Sequence, residues 1–206
     1  MGLKIAIQGA SGKLGKLIVE QCADEYAGPI TRTGEVPDCD VVIDVSSAAG
    51  TAALLPRLSG QALLIGTTGD LPIDAIESYA QRATVAIVPN FSVGVPALID
   101  LIKHLVPNLP ADWDIEVVEA HHNQKKDAPS GTAKRLVLAI QSVRSGEVPT
   151  HALRVGDTFG EHTIYLCGPG ERIELKHVAT QRSVFAIGAK RWAHKLAQLP
   201  VGLYRP

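Results

Sequence analysis

The sequence predicts an α/β fold in its first half and an α+β arrangement in its second half. In the first half, short and almost entirely apolar strand candidates alternate with amphipathic helix candidates. Such strands are typical of a parallel sheet that helices cover on both faces. In the second half a strand candidate alternates polar and apolar residues, as half-exposed strands do. We expect the last strands of this half to pair antiparallel.

Apolar runs mark the strands of the first half, and apolar residues at helical spacing mark its helices. The predicted strands are Lys4–Gln8, Asp40–Val45, Ala62–Ile65 and Thr84–Val88. The predicted helices are Lys13–Asp24, Ala48–Leu58 and Ile73–Arg82. Ligands of open parallel sheets bind beyond the carboxyl ends of the strands. The turns Gly66–Gly69 and Pro89–Ser92 lie at two such ends, so we expect ligand contacts there.

The second half mixes helices and strands in a different order. The predicted helices are Val95–Leu105, Gly131–Val143 and Val184–Leu199. The predicted strands are Asp114–His121, Thr163–Leu166 and Arg172–His177. A polar loop separates the first of these strands from the second helix, and its residues carry most of the chemistry considered below.

Composition narrows the class of partner. The chain has 206 residues, a formal net charge of -1 and only 4% aromatic residues. Without a basic excess or aromatic platforms, neither a nucleic acid nor an anionic membrane is an expected partner. No apolar run approaches the roughly 20 residues of a membrane helix. Cys22, Cys39 and Cys167 show no metal-site spacing, and the first residues enter a strand, so we expect free thiols and a cytoplasmic location.

A glycine loop follows the first strand and opens the first helix. Gly9 permits the tight turn, Gly12 allows a pyrophosphate to approach the backbone, and Gly15 allows close helix–strand packing. The pattern is GxxGxxG, and a plain strand–helix turn is the alternative interpretation. Because a strand precedes the loop and a helix follows it, the pattern favours a Rossmann dinucleotide-binding domain.

The end of the second strand decides between the two nicotinamide cofactors. About 20 residues beyond the loop, an acid indicates NAD and a basic group indicates NADP. The sequence there contains Arg32, and the nearest acid is Glu35. Arg32 can pair with a 2′-phosphate through two hydrogen bonds, although a solvated surface arginine is almost as good an interpretation. We therefore predict a preference for NADPH over NADH.

The segment EAHHNQKKDAPSGTA, residues 119–133, is the most informative of the chain. His121 and His122 stand where a strand ends, Lys125 follows, and Ser130 is placed to cap the next helix. A histidine titrates near neutral pH and can act as a general acid, and a cation beside a helix N-terminus suits an anionic substrate. A solvated loop is the alternative. A zinc site is weaker still, because no other ligand shows the required spacing, and we predict no metal.

These motifs resemble those of the 4-hydroxy-tetrahydrodipicolinate reductases, also called dihydrodipicolinate reductases. The matching stretches are GASGKLG, DVVIDVS, IGTTG, PNFSVGV, EAHHNQKKDAPSGTA, RVGDTFGEHT and GERIELKHVATQRSVFAIGA. The resemblance implies an N-terminal Rossmann domain of residues 1–91 plus 183–206. It also implies a C-terminal α+β domain of residues 92–182, with a mixed sheet, that binds substrate and forms oligomers. A homotetramer is the expected state and a dimer the fallback.

The resemblance also implies the site residues and the reaction. His121 and Lys125 correspond to the catalytic pair, and the substrate binders are His122, Ser130, Gly131 and Thr132. The cofactor binders are Gly9, Ala10, Ser11, Gly12, Lys13, Leu14, Gly66, Thr67, Thr68, Val88, Pro89, Asn90 and Phe91, to which the residues themselves add Arg32. The implied reaction is hydride transfer from NADPH or NADH to C4 of a small cyclic dicarboxylate, followed by protonation of the adjacent carbon. It would make tetrahydrodipicolinate from 4-hydroxy-tetrahydrodipicolinate in the diaminopimelate route to lysine.

Two other functions stay open, and two departures from the family bear on details. Another two-domain NAD(P)-dependent dehydrogenase of amino-acid precursors would need a different constellation, such as a nucleophilic cysteine. A non-catalytic NAD(P) sensor would have no need of the His-Lys segment. The chain is short between Arg32 and Asp40 and again at Ser145–Arg154, which bears on cofactor preference and oligomeric state. His162 is expected to be a buried, hydrogen-bonded histidine and not a catalyst.

Overall fold

The computed structural model describes residues 2–206, which form two compact units. Unit 1 comprises Met1–Phe91 and Ser183–Pro206, and unit 2 comprises Ser92–Arg182. The functions that the sequence analysis assigned to these two stretches stay predictions. Within residues 2–206, no helix has the length and apolar character needed to cross a membrane.

Strands and α-helices alternate through most of the described residues. The strands are β1 (Ile5–Gln8), β2 (Tyr26–Ile30), β3 (Val41–Asp44), β4 (Ala62–Ile65), β5 (Thr84–Ile87), β6 (Asp114–His121), β7 (Thr150–Arg154), β8 (Glu161–Gly168), β9 (Glu171–Val178) and β10 (Gly202–Tyr204). The helices are α1 (Lys13–Gln21), α2 (Ala48–Leu54), α3 (Ile73–Ala80), α4 (Gly94–Leu105), α5 (Gly131–Gln141) and α6 (Ser183–Leu196).

Unit 1 is built on a six-stranded parallel sheet in the order β10-β5-β4-β3-β1-β2. Its central strands are buried on both faces because they are almost wholly apolar and β-branched. One face packs against α1 and α6 through residues such as Ile18 and Leu196. The other face packs against α2 and α3 through residues such as Leu54 and Ile76. The predicted Rossmann-type arrangement of this unit is confirmed.

Unit 2 is built on a four-stranded mixed sheet in the order β7-β6-β8-β9. β6 and β7 are parallel, whereas β6–β8 and β8–β9 are antiparallel, which confirms the predicted mixed sheet. Helices α4 and α5 cover the face that carries Ile115, Val117 and Ile164. The opposite face exposes Leu153 and Val178.

The sequence analysis missed three strands that lie at sheet edges. β2 contains Gly28 and Pro29, which weaken the strand pattern but are tolerated at an edge. β10 has only three residues. β7 was treated as part of a shortened segment, because Thr150–Arg154 shows no apolar alternation strong enough to predict a strand.

Two predicted helices end earlier than expected. The helix predicted for Lys13–Asp24 ends at Gln21, and a short 3-10 turn, Ala23–Glu25, follows. The helix predicted for Ala48–Leu58 ends at Leu54, and the turn Leu55–Arg57 follows. That turn contains Pro56, which has no amide hydrogen to continue the helical hydrogen bonds.

Candidate functional site

The loop between β1 and α1 has the geometry that its glycines predicted. Gly9 adopts a φ of +84°, and a Cβ there would lie 2.7 Å from the Val45 carbonyl oxygen. A Cβ on Gly15 would lie 2.0 Å from the Gly9 carbonyl oxygen, so only glycine allows the helix to sit this close to the strand. Gly12 occupies the N-cap of α1 with no side-chain cap. The amides of the first turn, which include those of Lys13 and Leu14, are therefore suited to an anion.

A cleft of about 690 Å³ lies beyond the carboxyl ends of β1 and β3 in unit 1. Its volume is of the size that holds a ligand the size of a nucleotide. Of the predicted cofactor residues, four line it: Gly9, Ala10, Ser11 and Arg32. The lining also includes residues that the sequence analysis did not select, among them Thr31, Ser46, Ser47, Gly50 and Arg57.

Arg57 supports the loop that carries Arg32. Its guanidinium donates to the carbonyl oxygen of Thr31 at 2.9 Å and also to the carbonyl oxygen of Gly34. Arg32 itself is exposed and lines the same cleft. Nothing local marks Arg57 in the sequence, because its partners lie more than 20 residues earlier in the chain.

Asp44, at the end of β3, is the centre of a buried polar network that the sequence analysis missed. Its side chain is fully buried. One carboxylate oxygen accepts from the Ser46 amide at 3.0 Å, the Ser46 hydroxyl at 2.6 Å and the Thr67 hydroxyl at 3.2 Å. The other accepts from the Thr51 hydroxyl at 2.5 Å. One carboxylate thus ties together the turns that follow β3 and β4, on either side of which cofactor contacts were predicted.

The predicted nicotinamide-side residues fall into buried and accessible groups. Val88 and Phe91 are each 3% exposed and belong to the core, and Thr67 is buried by its bonds to the Asp44 network. A Cβ on Gly66 would lie 2.4 Å from the Phe91 ring, so that ring supports the Gly66 turn from below. Thr68 and Pro89 are exposed and Asn90 is half-buried. Side-chain contacts with a ligand are therefore open to this second group, while the first shapes the backbone.

In unit 2 the functional side chains lie at the end of β6. Residues two apart on a strand point to the same side, so Glu119 and His121 both lie on the face that α4 and α5 cover. His121 Nδ1 lies 2.5 Å from Glu119 Oε2. The other carboxylate oxygen accepts from the Ser130 amide at 3.0 Å. The strand end and the start of α5 are thus joined through a single carboxylate.

Arg154 of β7 completes this cluster from the neighbouring strand. Its Nη1 and Nη2 atoms lie 2.9 Å and 2.8 Å from Glu119 Oε2 and Oε1, a two-pronged ion pair. Burial raises the pKa of the Glu119 carboxyl, but hydrogen bonds from Arg154, His121 and the Ser130 amide outweigh burial and hold that pKa below its ordinary value. Glu119 is therefore ionised and can only accept, so His121 Nδ1 carries the proton of their shared hydrogen bond.

His121 is a neutral imidazole near pH 7 in this arrangement. Burial lowers the pKa of His121, the hydrogen bond to Glu119 raises it, and the charges of Lys125 and Arg154 lower it, with a net shift downward. The Lys125 ammonium binds Asp127 Oδ1 at 2.7 Å. This ion pair holds the pKa of the Asp127 carboxyl below its ordinary value, against a smaller opposing effect of burial.

Ser130 and His162 form the buried floor beneath these groups. Ser130 Oγ accepts from the Ala133 amide at 3.1 Å, which confirms Ser130 as the helix cap. The same hydroxyl lies 3.2 Å from His162 Nε2. His162 is 3% exposed, and burial followed by the charges of His121 and His177 lowers its pKa to about 4. His162 is thus the buried, hydrogen-bonded histidine that the sequence predicted.

The other predicted substrate residues surround this cluster on its more exposed side. His122 and Thr132 are half-buried, and Gly131 is exposed with no atom near the position of a Cβ. Ser130 is only 2% exposed, so its part in binding is to cap α5 and orient the amides of the first turn. Throughout residues 2–206, no three His, Cys, Asp or Glu side chains are grouped as metal ligands would be.

Comparison with known proteins gives consistent matches over nearly the whole chain. The family model described as "Dihydrodipicolinate reductase, C-terminus" matches residues 94–205. A 4-hydroxy-tetrahydrodipicolinate reductase from Xanthomonas axonopodis pv. citri (strain 306) is 37% identical, covering 98% of this chain and 95% of that protein. One from Methanosarcina barkeri (strain Fusaro / DSM 804) is 34% identical, covering 98% and 97%.

A solved structure agrees at the level of the fold. The dipicolinate-bound dihydrodipicolinate reductase from Paenisporosarcina sp. TG-14 matches with a TM-score of 0.77 and 20% sequence identity. The match covers 100% of this chain and 98% of that one. At that identity the likeness supports the fold, while the curated relatives carry the family assignment. The resemblance drawn from the sequence motifs is thereby confirmed.

Proposed function

The chain belongs to the dihydrodipicolinate reductase family, and on that premise we propose that it reduces 4-hydroxy-tetrahydrodipicolinate to tetrahydrodipicolinate with a reduced nicotinamide dinucleotide. This step lies in the diaminopimelate route to lysine. The observation that carries the proposal is the cluster at the end of β6, where His121 is bonded to an ionised Glu119 beside Lys125 and the start of α5. A sensor or a scaffold has no use for such an arrangement.

The residues of unit 1 fit a nicotinamide dinucleotide. The fit rests on the Gly9 turn, on the close approach of Gly15 and on the cleft of about 690 Å³. The residues that would hold the cofactor are Gly9, Ala10, Ser11, Gly12, Lys13, Leu14, Arg32, Gly66, Thr67, Thr68, Val88, Pro89, Asn90 and Phe91. When bound, the reduced nicotinamide supplies the hydride. NADPH is the proposed preference, because the exposed Arg32 lines the cleft where a 2′-phosphate would be read.

The cationic groups of unit 2 fit a cyclic dicarboxylate. We assign one carboxylate to Lys125 and His122, and the other to the Gly131 and Thr132 amides at the start of α5. Ser130 takes part by capping that helix. A bound carboxylate competes with Asp127 for the Lys125 ammonium, which lies 2.7 Å from Asp127 in the absence of ligand.

His121 and Lys125 are the proposed proton donors. A general acid must carry the proton that it gives, and the pKa of His121 lies below its ordinary value in the ligand-free chain. Two carboxylates arriving beside the ring favour its charged form and raise that pKa. Substrate binding thereby charges His121 at the moment when the reduced ring carbon needs a proton. Lys125 stabilises the negative charge that develops and is the alternative donor.

The proposal is tested by NADPH oxidation when the chain is mixed with a dihydrodipicolinate-generating synthase and its substrates. His121→Ala and Lys125→Ala are each expected to lower turnover by roughly 100-fold or more, as for lost acid–base terms. Lys126→Ala and His104→Ala are matched controls, because both residues are exposed and lie outside the proposed site. Binding of NADPH without its oxidation would favour a sensor, and near-normal turnover in either site variant would refute the assignments.

A homotetramer is the proposed oligomeric state. The sheet of unit 2 carries helices on one face only, and the opposite face exposes the apolar side chains of Leu153 and Val178 at 49% and 43%. Apolar groups in such a patch are typical of a surface that another chain covers. Light scattering after size exclusion is expected to give four times the chain mass, and Leu153→Lys is expected to lower it. A dimer would point to a smaller interface. The cytoplasmic location stays a prediction.

A further inference from the structure

The ion pair between Glu119 and Arg154 lies directly beside the proposed acid and has no assigned role. Resting on the proposed function, we propose that Glu119, held by Arg154, is a positioning residue for His121. It keeps the Nδ1 proton turned inward and leaves Nε2 as the nitrogen that carries the proton to substrate. The argument stands on geometry within unit 2 and not on the family resemblance.

Every acceptor direction of the Glu119 carboxylate is used inside the protein. Oε2 binds His121 Nδ1 and Arg154 Nη1, and Oε1 binds Arg154 Nη2 and the Ser130 amide. The carboxylate itself is fully buried. Burying a charge in this way is weak evidence of stability, since an apolar residue of similar size often serves as well. A hydrogen bond that fixes one tautomer of an imidazole is a use that an apolar residue cannot replace.

The cluster also joins the acid to the proposed carboxylate site. The oxygen that accepts from the Ser130 amide belongs to the same carboxylate that holds His121. Ser130 begins the first turn of α5, whose amides we assign to a substrate carboxylate. A single rigid group thus sets the distance between the proton donor and one end of the substrate, which is what efficient proton transfer requires.

The other side of the imidazole is kept open by a glycine. Gly160 precedes β8, and a Cβ there would lie only 3.1 Å from His121 Nε2. The absence of a side chain leaves room beside the nitrogen that Glu119 does not occupy. With Nδ1 bound inward, the orientation of the ring therefore directs Nε2 to the side on which a ligand has space.

The charged and titratable groups that face His121 come from every strand around it. Glu119 on β6 favours the protonated ring, whereas Lys125 in the following loop and Arg154 on β7 disfavour it. His162 on β8 has its ring centroid 5.2 Å from that of His121 and stays neutral near pH 7. Glu119 is the one group in this set that favours the charged form of the acid, so its loss has a defined direction.

The first test uses the ligand-free protein and needs no activity. With ¹⁵N-labelled histidine, long-range correlation spectra are expected to show the His121 ring with its proton on Nδ1, the signal being assigned by its loss in His121→Asn. In Glu119→Gln, the titration of His121 is expected to move to lower pH, because a neutral amide no longer favours the imidazolium. An Nε2–H tautomer in the wild type, or an unmoved titration in the variant, would overturn the proposal.

The second test reads out catalysis. Glu119→Gln is expected to lower kcat by roughly 10- to 100-fold, a part of what a general acid contributes, with little change in the KM for NADPH. The limb of the pH profile in which activity falls as pH rises is expected to move to lower pH. Glu147→Gln is the matched control, because it makes the same change on an exposed residue of unit 2.

Arg154 variants separate positioning from folding. Arg154→Lys keeps a cation beside Glu119 and is expected to retain several-fold more activity than Arg154→Met, at equal thermal stability of the two. Equal activities would show that only the fold depends on this pair, and would overturn the proposal. A wild type that oxidises no NADPH would sink the proposed function, while the tautomer of His121 would still decide the positioning role.

Discussion

Asp44 offers a sharp test of how the cofactor turns are held together. Its carboxylate accepts four hydrogen bonds in a fully buried position. Asp44→Asn keeps the shape of the side chain but removes the charge and places an amide donor against one of the hydroxyl groups. The Thr51 hydroxyl is able to turn and donate to the Ser47 carbonyl oxygen, 3.2 Å away. The main loss is therefore the difference between charge-assisted and neutral bonds at the remaining donors.

That difference sets the size of the effect. Hydrogen bonds to charged groups contribute about 1.5–3 kcal/mol each and neutral ones about 0.5–1.5 kcal/mol. Over the three donations from Ser46 and Thr67 the variant is expected to lose about 2–3 kcal/mol of stability, or roughly 5–10 °C in Tm. Because the same bonds hold the turns after β3 and β4, the Kd for NADPH is expected to rise about 10-fold, a coupling of about 1.4 kcal/mol.

Thermal unfolding by circular dichroism and NADPH titration by fluorescence measure the two effects separately. Asp38→Asn is the matched control, because Asp38 has a side chain 90% exposed and an ion pair with Lys4 that solvent screens. If Asp44→Asn melted and bound NADPH as Asp38→Asn does, the network would have no part in shaping the cofactor turns and the reasoning would be refuted.

Three further predictions concern the loop, the cofactor preference and acid stability. Gly15→Ala is expected to cost at least about 2 kcal/mol in urea unfolding, and more than Gly12→Ala, because the new Cβ would lie 2.0 Å and not 3.2 Å from the Gly9 carbonyl oxygen; equal stabilities would contradict this. Arg32→Ala is expected to raise the KM for NADPH roughly 10-fold and to leave that for NADH unchanged, as for the loss of one charge-assisted contact; a parallel rise in both would remove Arg32 from phosphate recognition. His162, whose pKa falls from 6.5 to about 4 on folding, stabilises the fold above pH 6.5 and loses that contribution as pH falls towards 4. His162→Gln is therefore expected to flatten the decline in stability between these pH values, and an unchanged slope would contradict it.

Signals confined to a short stretch of chain made much of this protein predictable. The Gly9–Gly15 loop, the apolar central strands and the Ser130 cap each depend on neighbours close in sequence, and the structure has them where the pattern placed them. The family resemblance rested on motifs of the same local kind. Strand ends and helix ends followed to within a few residues except where a proline or an edge position intervened.

The missed residues act over long sequence separations. Arg154 reaches Glu119 across 35 residues, and its role depends on the pairing of β7 with β6, which no local pattern revealed. Arg57 and Asp44 likewise bind groups on other turns of unit 1. Glu119 stood inside the most informative motif, yet its function follows only from the partners that the fold brings to it.

The central claim is that this chain moves a hydride from a nicotinamide to the ring made by a dihydrodipicolinate-generating synthase. The most direct measurement supplies NADPH with both C4 hydrogens replaced by deuterium and follows the product by mass spectrometry. The account predicts tetrahydrodipicolinate that carries one deuterium on the reduced ring carbon, formed as fast as the NADPH is consumed. Bound and unconsumed NADPH with no label in any product, in the presence of a working synthase, would contradict it.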